Sequence, residues 1–270
     1  GGDIRLSLLS GDSNSNDDFE NATVIEGLNV SVTGSSAEAT KQAGEPDHAG
    51  NVGGRSVWWR WTAPASLAIS VTAEGSDFDT LLGVYAGSSL ASLSVLDSND
   101  DSGRGVLTSA ATFNATAGTT YYFAVDGYAE SGVVESGTIT LNLLSLAEAA
   151  DSTGLAWAVS GNGERWHAQR ETSHDSQDAL KSGFVSDNQS STLQTTVTGP
   201  GTLRFWWKVS SEVDFDYLVF RFDGTELAAI TGDVNWEMIE LDVPAGQHSL
   251  TWVYEKDESE RAGSDAGWVD

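Results

Sequence analysis

The sequence predicts an all-β protein: two antiparallel β-sandwich domains in tandem, jelly-roll-like in outline. Short runs of alternating or β-branched residues recur along most of the 270 residues, each bounded by Gly, Asn, Asp or Ser. Only Leu144-Ser145-Leu146-Ala147-Glu148-Ala149-Ala150 has helical character. The apolar fraction, 39% with 10 Trp, is enough to fill two cores of ordinary size.

Taken in order, residues 1–14 read as a polar lead-in. Strand runs follow at 24–32, 57–62, 68–72, 80–85, 92–96, 111–114, 120–126 and 137–143, the rhythm of an antiparallel sandwich. The segment 144–152 interrupts the pattern, which gives domains at 15–146 and 154–270 with a hinge at 147–153. A second series opens near Leu155 and continues at 191–198, 201–209, 217–222, 226–230, 237–243 and 248–254. Asp223-Gly224 between two such runs is a hairpin signal, because the turn needs positive φ. Pro244-Ala245-Gly246 and Thr116-Ala117-Gly118 read as further turns.

Composition removes several function classes. Lys+Arg 13 against Asp+Glu 40 gives a net charge of −27, which repels phosphate backbones and anionic membrane surfaces, so nucleic acid is not an expected partner. With no cysteine there is no disulfide framework, thiolate zinc site or cysteine nucleophile. His48, His167, His174 and His248 form no ligand spacing, and no apolar run is long enough to cross a bilayer, so membrane insertion is not expected. The start, Gly1-Gly2-Asp3, lacks a signal peptide's features, and the expectation is a piece of a longer, multidomain secreted chain, extracellular or at the cell surface.

Asp17 in Asn16-Asp17-Asp18, Asp77 and Asp79 in Ser76-Asp77-Phe78-Asp79, and Asp100 and Asp101 in Asn99-Asp100-Asp101-Ser102-Gly103 stand at the mouths of predicted strands. Hard cations take oxygen ligands from such turns, so Ca2+ is the expected cofactor. Ordinary turn chemistry is the competing reading: Asp79 can cap its own turn, and no glutamate closes an EF-hand loop. Catalysis is not expected, since there is no Gly-x-Ser-x-Gly elbow and no His-Glu-x-x-His helix. Glu237 and Glu240, three apart on a strand, point to opposite faces. Trp58, Trp59 and Trp61, and likewise Trp206 and Trp207, lie in strands, where alternation sends one neighbour inward and the other to an outer face. Trp157 and Trp166, flanking the irregular Gly161-Asn162-Gly163-Glu164-Arg165, are candidate ligand contacts, together with Tyr121 and Tyr128.

Ser56-Val57-Trp58-Trp59-Arg60-Trp61-Thr62-Ala63-Pro64, Phe78-Asp79-Thr80-Leu81-Leu82-Gly83-Val84-Tyr85 and Gly118-Thr119-Thr120-Tyr121-Tyr122-Phe123-Ala124-Val125-Asp126-Gly127, behind the Asn16-Asp17-Asp18 lead-in, occur in a family order. In these the first half, 15–143, resembles the bacterial pre-peptidase C-terminal domain family, a β-sandwich that includes the collagen-binding domains of clostridial collagenases. The resemblance implies structural calcium held by Asn16 and Asp17. The family's glutamate before that motif is replaced here by Asn14, and its acidic cluster by Gly44-Glu45-Pro46-Asp47-His48-Ala49-Gly50, so Glu45 and Asp47 stand in for the remaining ligands. The second half is similar to jelly-roll, lectin-like or MAM-like modules of secreted proteins. That likeness implies a structural calcium involving Asp265 and Asp270 with Asp175 or Asp178.

These readings combine into a non-catalytic, calcium-dependent extracellular binding or adhesion segment of a larger bacterial protein, holding a glycan or a peptide. The alternative is a C-terminal processing or spacer region of a secreted protease or glycoside hydrolase.

Overall fold

A computed structural model describes residues 16–270; the 1–14 lead-in, with Asn14, lies outside the described residues. The chain is all-β, as its pattern predicts. In the first module β1 (Thr23–Ile25) runs parallel to β3 (Val57–Thr62). Between them β2 (Val30–Ser35) belongs to the other sheet. The single run expected at 24–32 is therefore two strands, because Gly27 (φ 88°) and Asn29 (φ 55°) turn the chain from one layer to the next. The module continues with β4 (Leu67–Thr72), β5 (Thr80–Ala86), β6 (Ser94–Asn99), β7 (Ala110–Ala115), β8 (Thr120–Gly127), the short β9 (Ala129–Glu130) and β10 (Val133–Val134), and β11 (Thr138–Ser145). The sheets are β1-β3-β8-β5-β6 and β2-β11-β4-β7. Trp59, Trp61, Ile69, Leu82, Phe123 and Leu141 pack in the core between them.

Alternation does send Trp58 to the other face of β3, but that face is covered. Phe19, His48 and Tyr85 pack on Trp58 at ring distances of 5.4, 5.6 and 5.7 Å. None of Trp58, Trp59 and Trp61 reaches solvent.

Helix α1 (Leu146–Ala149) leads into β12 (Trp157–Gly161), β13 (His167–Gln169), β14 (Ala179–Lys181), β15 (Ser190–Ser210), β16 (Tyr217–Phe222), β17 (Thr225–Thr231), β18 (Asp233–Glu255) and β19 (Ala266–Val269). The runs at 191–198 and 201–209 are one long strand, and so are those at 237–243 and 248–254. Pro244-Ala245-Gly246 does not reverse the chain. It is a bend in β18 that lies opposite a register shift in β15, where Gly199 pairs with Gly246 and Gly201 with Val243. Ladder hydrogen bonds on both sides hold β15 and β18 together through the bend. The ribbon thus folds over its own core: Phe205 from one half meets Trp252 from the other at 5.1 Å, and Phe220 of β16, paired beside Trp252, at 4.8 Å.

Candidate functional site

Antiparallel pairing places the entry of β5 beside the exit of β6, with Leu82 opposite Asn99. Asp79, just before β5, therefore meets Asp100 and Asp101, just after β6. Each offers an oxygen, and the three oxygens lie within 4.8 Å of one another. Hydrogen bonds hold the loop: Tyr128 N–H donates to Asp79 O, Asp79 N–H to Glu135 Oε2, and Asn99 Nδ2 to Asp101 O. Asp79 Oδ1 and Asp100 Oδ1 are shielded from solvent and have no hydrogen-bond partner. Burial, then the charges of Asp100, Asp101 and Glu135, push the Asp79 carboxyl up to about 6. Burial also raises Asp100 and Asp101. Orphaned oxygens on mutually repelling carboxylates suit a hard cation, which would neutralise the charge and use the unpaired oxygens. Glu164 from the second module lines a hollow of about 400 Å³ with Asp100 and Asp101. Tyr128 lines another, of about 320 Å³, with Asp79 and Glu135. Glu135 and Glu164 were not expected from sequence, since they come from distant loops.

The other expected ligands are not brought together in this way. Asn16 donates Nδ2 to Trp58 O, and both Asp17 oxygens accept from Thr40. Glu45 is buried and accepts from Ser56 Oγ and Trp58 Nε1. Burial pushes its carboxyl up, but hydrogen bonds from His48, Ser56 and Trp58 outweigh this and hold it below the usual range. Asp47 is exposed and pairs with Lys41 at 3.2 Å. Among the described residues Asn16, Asp17, Glu45 and Asp47 form no converging carboxylate group, and protein donors bond the oxygens of Asp17 and Glu45. Asp77 Oδ1 accepts from Thr138 N–H. Asp265 is buried against Lys256, away from the loop where Asp270 accepts from the His174 and Asp175 N–H groups. Asp178 faces Arg170 at 4.0 Å. A second acidic group, Glu212, Asp216 and Asp257, also converges. Asp216 there accepts from Lys256 Nζ and from Asp257 N–H, and Glu212 Oε2 is shielded from solvent without a partner.

The second module bears an apolar cleft of about 340 Å³. Trp157, Phe205 and Trp252 line its base, with Trp157 and Trp252 centroids 5.6 Å apart. One wall is Trp206, on which the His174 ring stacks at 3.8 Å and 12°. Strand alternation explains the placement: Phe205 and Trp207 are buried, and Trp206 between them is half-exposed. Asp151, Asp175, Arg204 and Asp270 supply polar groups at the rim. Burial raises the Asp270 carboxyl, and the charges of Asp175 and Asp151 add to this against the two backbone bonds it accepts. Trp157 does reach the cleft, though only 8% exposed. Trp166 and Tyr121 do not serve as ligand contacts. Trp166 is fully buried with Nε1 donating to Ser191 O, and Tyr121 packs in the first core with its hydroxyl accepting from Thr116 N–H. Trp166 follows the irregular 161–165 stretch, but its ring turns inward into the second core.

No protein-family model matches the chain, and no curated protein matches it. Among solved structures, the chain is similar to the secreted serine protease VesC from Vibrio cholerae at 11% identity and TM-score 0.35, covering 80% of this chain and 49% of that one. This chain therefore spans about half the length of that protein. It is also similar to the tandem CBM22-1–CBM22-2 domains of Paenibacillus barcinonensis Xyn10C, at 13% identity and TM-score 0.29, covering 89% of each chain. A third likeness is to TmCBM61 in complex with β-1,4-galactotriose, at 19% identity and TM-score 0.29, covering 42% of this chain and 83% of that one. At these TM-scores the likenesses carry no argument about ligand or mechanism.

Proposed function

We propose that the chain is a non-catalytic binding segment of a larger secreted bacterial protein, of pre-peptidase C-terminal type in its first half, that holds a neutral glycan in the second-module cleft. The observation that carries this reading is the half-exposed Trp206 face, braced by His174 over a base of Trp157, Phe205 and Trp252. A sugar ring presents C–H groups to such aromatic faces and hydroxyls to a rim of carboxylates and a guanidinium. The net charge of −27 disfavours acidic polysaccharides. Calcium at Asp79, Asp100 and Asp101 is the proposed cofactor, with a structural role in ordering the loop after β6 beside Glu164. A spacer has no need of an open aromatic cleft, which favours the binding reading over the spacer alternative.

A glycan array probed with the wild-type chain and with Trp206→Ala tests the assignment. Binding of neutral oligosaccharides by the wild type, lost in the variant with its fold intact, supports it. Absence of any neutral glycan ligand returns the chain to the spacer reading, and turnover of a bound glycan makes it an enzyme.

A further inference from the structure

The second module holds a buried group that glycan binding does not use. Tyr217 pairs with Glu255, so the antiparallel register sets Asp216, just before β16, against Lys256, just after β18. Asp265, just before β19, reaches the same point. The side chains of all three have no exposure. Lys256 Nζ lies 2.5 Å from Asp216 Oδ2, 2.9 Å from Asp265 Oδ1 and 3.2 Å from Glu260 O. Asp216 Oδ1 accepts from Asp257 N–H at 3.1 Å. Asp265 Oδ2 and the Tyr254 hydroxyl are buried without partners.

We propose that Lys256 and Asp216 condense into an intramolecular amide, with Asp265 as the proton carrier. The parts an amide condensation needs are all in place: an amine against a carboxyl, a second carboxylate on the same nitrogen, and a backbone N–H aimed at the oxygen where negative charge develops. Water, which would favour the separated ions and reverse the reaction, is excluded from the group.

The step balances within the three side chains. A proton passes from Nζ to Asp216 Oδ2 along their hydrogen bond, giving a neutral amine and a neutral carboxyl with the net charge of the group unchanged. The Nζ lone pair attacks Cγ of Asp216, and the C=O electron pair moves to Oδ1, which the Asp257 N–H stabilises. Asp265 takes a proton from Nζ and delivers it to Oδ2. When the C=O re-forms, Oδ2 leaves as water. The Nζ–Cγ bond has formed, the Cγ–Oδ2 bond has broken, and Asp265 is again a carboxylate that accepts from the amide N–H. No oxidant, reductant or co-reactant is consumed. The product ties the start of β16 to the end of β18 and closes a loop spanning 40 positions.

Intact-mass spectrometry of the purified, denatured chain tests this. The expected mass is that of the sequence less one water, with a branched peptide joining 216 and 256 after digestion. Asp216→Ala and Lys256→Ala should show their full sequence masses. Asp216→Asn should lose ammonia and give the same product as the wild type. Asp265→Asn should keep the pair but accumulate uncondensed chain. A wild-type chain of full sequence mass overturns the proposal, and that measurement does not depend on whether any variant folds.

Discussion

Asp79 is an acid whose folded pKa, about 6, stands above the usual 3.8. Its ionisation therefore works against the folded state: the stability it allows is present at low pH and is lost as pH rises through about 6. In metal-free protein, Asp79→Asn should raise the melting temperature at pH 7 by relieving repulsion from Asp100 and Asp101. The same variant should abolish stabilisation by calcium. That stabilisation in the wild type follows RT ln(1 + [L]/Kd), about 2.7 kcal/mol at a hundredfold excess of calcium over Kd. Protons compete for the same oxygens, so calorimetric affinity for calcium should fall steadily below pH 6. A melt indifferent to calcium and chelator would remove the cation from this site. At the cleft, Trp206→Ala should cost about 2 kcal/mol of glycan binding, roughly thirtyfold in Kd, because it removes the half-exposed stacking face.

Elements set what those residues can do. The carboxylates meet because β5 and β6 are antiparallel neighbours, and Trp206 faces the cleft because β15 alternates. Buried tryptophans hold these strands in place. Trp166 fills the second core and satisfies its indole N–H on Ser191 O, so Trp166→Ala should destabilise the fold by about 3–5 kcal/mol in denaturant titration. A loss below about 1 kcal/mol would show that the site collapses to fill the hole. Gly53 is a tighter constraint. Its φ is 53°, and a Cβ there would stand 1.9 Å from Asp126 Oδ2, while Asp126 is buried and accepts from the Gly54, Arg55 and Gly127 N–H groups. Gly53→Ala should accordingly destabilise the first module more than a surface Gly→Ala change at Gly132, which meets nothing within 4 Å.

At the scale of the whole molecule, the two cores share a boundary. Ala149 of the expected hinge is buried in the second core, together with Ala68, Leu144 and Leu146 from the first module. Across the junction Ser70 Oγ accepts from Ala168 N–H, and Arg165 donates to Thr112 O. His167 lies at this boundary, and burial, aided by the charge of Lys181, pushes its pKa down from 6.5 to about 3. A depressed histidine contributes stability that is present above pH 6.5 and is lost as pH falls toward 3, opposite in sign to Asp79. His167→Asn should therefore flatten the acid side of a melting-temperature profile. Calorimetry of the wild type should show one cooperative transition, and two separated transitions would mean that the shared boundary adds little.

The sequence by itself determined the β class, many of the strand runs and the placing of Asp77, Asp79, Asp100 and Asp101 at strand mouths, because period-two patterning and turn residues are local signals. It also foretold that one of Trp206 and Trp207 would face outward. Tertiary structure decided the rest. Whether the outer face of β3 is open depended on Phe19, His48 and Tyr85 folding over Trp58, and whether Asp17 and Glu45 are free depended on Thr40, Ser56 and Trp58 claiming their oxygens. The bend in β18 looks like a turn in one dimension, since only the pairing partner β15 keeps the strand going. Lys256, Asp216 and Asp265 carry no shared motif, and it is ladder register across a 40-position separation that brings the first two together.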